Sequence, residues 1–87
     1  MQTTDFAAIE GALHKHLLTL AASRGKGVTA ITRTDPLIER GVFDSLSLLD
    51  FVVYAEKLCG LRIPGEDVHP ENFGSLDAIM RYLSERM

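Results

Sequence analysis

Residues 41–60 read GVFDSLSLLDFVVYAEKLCG, and the punctuation of this stretch decides the fold. Asp44 is a natural N-cap, because its short side chain can accept a backbone N–H that the first helical turn leaves unpaired. Phe43 and Leu48 occupy the two positions of a hydrophobic staple, which fixes how the chain enters the helix. Lys57 complements the negative end of the helix dipole, and Gly60 supplies a left-handed stop. A helix is therefore predicted over Ser45–Cys59. It is apolar on more than one face. Phe51, Val52, Ala55 and Leu58 form one stripe for the core, leaving Leu46, Leu49 and Val53 as a second row at i, i+3 and i+7. If exposed, that row is a binding surface; the plainer reading packs it under the long loop before Phe43.

Working outward, Phe6, Ile9, Leu13, Leu17 and Leu20 recur at spacings of three and four, which predicts an amphipathic helix over residues 4–22. Thr4 is its expected N-cap, with Asp5 in the first turn. Ser23-Arg24-Gly25-Lys26-Gly27 ends it. The connection to Phe43 is long, but Val28, Ile31, Leu37 and Ile38 can dock on a core. Within it, Thr34-Asp35-Pro36 reads as a cap with proline at the first helical position, giving one short turn that ends at Gly41. Downstream, Pro64 holds Ile63 extended. Glu66 to Phe73, with His69-Pro70 inside, supports one or two helical turns. Ser75 caps a last helix reaching about Glu85, with Leu76, Ile79, Met80 and Leu83 on its core side. The expected fold is all-α: one domain over residues 1–87, three longer helices and a short one, with no strand and no repeat.

At 87 residues, 46% hydrophobic and 24% charged, the chain can bury a core without staples. A single cysteine excludes an internal disulfide. No basic segment followed by an apolar run marks a secretory signal, and Leu46–Ala55 is too short and too interrupted to span a bilayer. The expected setting is cytoplasmic, without membrane insertion. Charge is uneven: residues 44–77 hold seven of the twelve acids against only Lys57 and Arg62. Nucleic-acid binding needs basic surface, so this half argues against it and fits a partner with a basic patch. Solvated faces are the plainer explanation of the same charges.

Catalytic and metal sets do not assemble. Gly25-Lys26-Gly27 lacks the spacing of a phosphate-binding loop. His14 and His16 lie two apart, on different faces of their helix, and no ligand set forms with His69. Cys59 reads as a small core residue. No histidine is placed along the sequence to activate Ser45. What remains is Ser45 itself, one hydroxyl at a helix mouth whose unpaired N–H groups and partial positive charge favour a phosphodiester. That position suits an attachment point better than a nucleophile of catalysis.

From about Asp35 to Leu83 the chain resembles the acyl carrier protein superfamily. The matching elements are Pro36-Leu37-Ile38-Glu39-Arg40-Gly41, the Asp44-Ser45-Leu46 signature and a helix of suitable length. They continue with Ile63-Pro64 followed by Glu66 and Asp67, then Pro70-Glu71-Asn72-Phe73 before a capped closing helix. The resemblance implies a four-helix bundle in which Ser45, flanked by Asp44 and Leu46, carries 4′-phosphopantetheine installed from coenzyme A by a phosphopantetheinyl transferase. The thiol of that arm would hold an acyl or aminoacyl group as a thioester, in fatty acid or secondary metabolite biosynthesis. An ATP-dependent ligase would load it, and a downstream acyltransferase or synthase would receive it. Leu46, Leu49, Asp50, Val53, Glu56 and Ile63 are the expected partner-binding residues, and a monomer with no catalysis and no metal is expected.

The chain also departs from that pattern. Val42-Phe43 stand where fatty-acid carriers show Gly-Ala, Ser47 stands where an acid is common, and Lys57 replaces another acid. This form is closer to the D-alanyl carriers and other discrete carriers of specialised pathways. The alternative is a helical interaction module of the same fold that bears no arm and uses the Leu46/Leu49/Val53 row alone.

Overall fold

Asp5 opens the first helix of the computed structural model, which describes residues 5–24 and 30–87. Its carboxylate accepts the N–H groups of Ala7 at 3.0 Å and Ala8 at 3.3 Å, so α1 runs Phe6–Arg24. Asp5 is thus the cap and not a first-turn residue. The expected cap Thr4 lies outside the described residues, as do Val28 and Gly25-Lys26-Gly27. The buried stripe is Ile9, Leu13, Leu17 and Ala21. Ala21 continues the i+4 row, whereas Leu20 sits to one side of it and is partly buried. Phe6 is 43% exposed, at the rim of a cleft with Met80 and Arg81 and not in the core.

The described part of the long connection, residues 30–44, is a set of turns held by hydrogen bonds. Asp35 accepts the Thr32 N–H at 2.9 Å, and the Arg40 N–H reaches the Pro36 carbonyl at 2.9 Å. The turn closes at Gly41, whose φ of 80° is a left-handed conformation that suits glycine. Leu37 donates its N–H to Gly74 O at 2.8 Å, tying the loop to the far end of the chain. Ile31, Leu37, Val42 and Phe43 are buried. Ile38 is 40% exposed, because adjacent residues of a turn project apart and Leu37 takes the inward place.

α2 spans Ser45–Cys59 and ends at Gly60 with φ 68°, as its punctuation predicts. Its inward stripe is Phe51, Val52, Ala55 and Cys59, while Leu58 is only partly buried. Burial pushes the Cys59 thiol pKa up, which favours an unreactive thiol over a nucleophile. A 3-10 turn at Gly65–Asp67 leads into α3, Pro70–Phe73. The Ser75 hydroxyl accepts the Ala78 N–H at 3.1 Å and starts α4, Leu76–Arg86. α4 buries the four expected residues and also Tyr82.

α1 packs against α2 and α4, and α3 packs against α4. The result is a compact all-α protein whose described residues form four α-helices, three long and one short, with a radius of gyration of 12.1 Å. No strand occurs among the described residues. None of the described helices is long and apolar enough to cross a membrane. Among the described residues no polar or charged one is buried, and the core is almost wholly aliphatic and aromatic. Packing of this kind makes truncation of any one large core side chain cost about 2–5 kcal/mol.

Candidate functional site

Two serines share the first turn of α2, and the cap separates their fates. Asp44, in extended backbone at φ −121° and ψ −169°, accepts the Ser47 N–H at 2.8 Å. The Ser47 hydroxyl in return accepts the Asp44 N–H at 2.8 Å. This is a reciprocal capping box with serine in the place usually held by Glu or Gln. Ser47 is therefore committed to holding the helix start. Ser45 is exposed, and its hydroxyl has no hydrogen-bond partner among the described residues.

Ser45 also stands on the wall of a groove of about 350 Å³ whose other lining residues are Ile38, Phe43, Asp44 and Leu48. The staple pair Phe43 and Leu48 thus lines the groove as well as setting the path into α2. The turn that carries Ile38 is braced by an ion pair between Arg40 and Asp35. Arg40 also donates to Ala30 O at 3.2 Å. The Thr32 backbone N–H bonded to Asp35 holds its carboxyl pKa below the usual range, and the Arg40 guanidinium adds to this.

Along the outer side of α2 lie Leu46, 78% exposed, Leu49, 57% exposed, and Val53, 47% exposed. The row does not pack beneath the loop. Asp50 belongs to the same side, with 61% of its side chain exposed, and accepts from His16 Nε2 at 3.1 Å. His16 in turn stacks on Tyr54, ring centroids 4.2 Å apart and planes within 5°. This α1–α2 link joins residues 34 apart in sequence, so no local signal announces it.

Two more of the expected partner-binding residues are bonded to each other within the fold. Ile63 is only 7% exposed, and Glu56 accepts the Ile63 N–H at 2.7 Å. Glu56 thereby secures the chain reversal after Gly60. Asp44, Ser45, Leu46, Leu49, Asp50 and Val53 are thus exposed together, while Glu56, three residues after Val53, is half-buried and Ile63 is buried.

The remaining polar groups brace the bundle. His14 Nε2 lies 2.7 Å from Ile31 O. Arg33 joins the loop to Glu10 at 3.2 Å and to Asp77 at 3.3 Å. The Tyr82 hydroxyl donates to Asp67 at 2.6 Å, and Arg86 meets the same carboxylate at 2.7 Å. Burial, with that hydrogen bond, pushes the Tyr82 pKa up to about 12. Among the described residues no group of three His, Cys, Asp or Glu could hold a metal ion. Comparison with known proteins finds no matching family model, no matching curated protein and no matching solved structure.

Proposed function

We propose that this chain is a discrete acyl or aminoacyl carrier protein whose Ser45 bears a 4′-phosphopantetheine arm. The observation that carries the reading is the division of labour in the first turn of α2. Ser47 is consumed by the cap, while Ser45 offers an exposed hydroxyl beside an apolar groove. The residues suit such a group: the attachment atom is open to a modifying enzyme, and the groove is apolar where the arm would begin.

In the attachment step the Ser45 oxygen forms a bond to the phosphorus next to the pantetheine of coenzyme A. The phosphoanhydride bond breaks, adenosine 3′,5′-bisphosphate leaves, and the hydroxyl proton passes to the transferase. The arm supplies a thiol that holds the cargo as a thioester, more activated than a serine ester would be. Among the described residues the one cysteine is buried, so the chain's own thiol is a poor substitute.

Leu46, Leu49, Val53 and Asp50 form the surface that meets the transferase and the loading ligase. Asp50 steers encounter with a basic patch, and the apolar row supplies the contact. With Glu56 turned to Ile63, the apolar share of this surface is larger than the acid content of α2 implies. After incubation with coenzyme A and a broad-specificity transferase, peptide mapping should find the added group on Ser45. An added group on Ser47, or none, would overturn the reading.

A further inference from the structure

We infer that the groove walled by Ile38, Phe43 and Leu48 is a seat for the proximal, methyl-bearing segment of the arm, an inference that rests on the carrier reading. Its occupant is fixed by connection. Ser45 is itself a lining residue, so whatever is bonded to its oxygen starts on the groove wall. Beyond the phosphodiester, the arm first presents a quaternary carbon with two methyl groups. Farther out it alternates amides with two-carbon links, and the amides gain nothing from an apolar surface. The methyl pair is therefore the part of the arm that apolar burial rewards.

The groove is matched to that segment in three ways. Ile38 is a large aliphatic side chain left 40% exposed while its neighbour Leu37 is fully buried. Phe43, only 4% exposed, lines the groove with its aromatic ring largely withdrawn into the core. The volume of about 350 Å³ leaves ample room for a branched unit of that size. The wall is also built before anything binds. The Arg40–Asp35 ion pair, the Arg40 N–H on Pro36 O and the closure at Gly41 hold the turn that carries Ile38. A preformed wall needs little ordering when the arm settles on it. An extended arm carries its thiol well past this groove, so the seat selects the root of the arm and leaves the cargo end free.

The test uses isotope-labelled full-length protein loaded to completion with an unlabelled arm, with loading verified by intact mass. Isotope-filtered nuclear Overhauser spectra should connect the arm's paired methyls to the Ile38 and Leu48 methyls. The Phe43 ring should also move those arm signals upfield. In Ile38→Ser, equally loaded, the Ile38 cross-peaks must vanish and the upfield displacement must shrink. A fully loaded parent whose arm methyls show neither effect overturns the seat while leaving the carrier reading intact. Arm methyl shifts unchanged in Ile38→Ser overturn it as well. A parent that gains no mass at all removes the carrier reading and the seat together.

Discussion

α2 and α4 begin alike and are used differently. Each starts from a short polar cap, Asp44 or Ser75, whose side chain accepts an N–H three residues on. α4 then buries Leu76, Ile79, Met80, Tyr82 and Leu83 and gives its other positions to polar residues and Ala78. α2 buries Phe51, Val52, Ala55 and Cys59 and still leaves Leu46, Leu49 and Val53 bare. Burial of a second row would have favoured folding, so the bare row is surface that the fold does not use. The contrast separates a helix that only builds the bundle from one that also presents something.

The largest expected effect breaks the contrast most sharply. Ile79→Ala or Leu83→Ala in α4 should cost about 2–5 kcal/mol in denaturant unfolding, whereas Leu49→Ala in α2 should stay within about 0.5 kcal/mol. Equal costs would mean that the outer row of α2 is core after all.

Next comes the polar clamp on α4. Tyr82→Phe removes a hydrogen bond to a carboxylate, worth about 1.5–3 kcal/mol. Its pH dependence has a definite sign. The folded pKa, about 12, lies above the ordinary value of 10, so the hydroxyl's stabilisation is complete below pH 10 and fades as pH rises toward 12. The gap between parent and Tyr82→Phe should be constant from neutral pH up to pH 10 and narrow above it. A gap that widened in that window would contradict the assignment.

Smaller again is the cap. Asp44→Ala should destabilise by about 0.5–2 kcal/mol, since it frees the Ser47 N–H now held at 2.8 Å. Ser75→Ala should behave alike in α4, and thermal melts of the two variants would show whether the caps are equivalent.

The smallest effect on stability should accompany a clear effect on loading. Leu49→Glu should slow transfer by the transferase with its melting temperature little changed. Asp50→Lys should lower the association rate most at low salt, and the difference should close as salt rises. Stopped-flow rates across a salt series measure both, and a salt-independent rate for each protein would remove Asp50 from docking.

The sequence is most legible where the physics is local. Asp44, Gly60 and Ser75 mark helix ends because a cap depends on a few adjacent backbone groups. The outer row of α2 is legible because an apolar residue on every side of a short helix exceeds what a small domain can cover. The Glu56–Ile63 bond is not legible because it depends on how the chain folds back after Gly60, which spacing does not encode. The Tyr82–Asp67 and His16–Asp50 pairs join residues 15 and 34 apart, so only the assembled bundle brings them together. Ser47 is the subtler case. It reads as a missing acid on a recognition helix, and in the structure its hydroxyl closes the cap and leaves Ser45 as the available serine of the turn.

That availability is the central claim, and intact-mass measurement tests it most directly. Parent and Ser45→Ala, each incubated with coenzyme A and a broad-specificity transferase, would be weighed beside untreated samples of matching helicity. The parent should gain one 4′-phosphopantetheine group and Ser45→Ala none. A parent that stays at its original mass, or a Ser45→Ala that gains the group, would contradict the account.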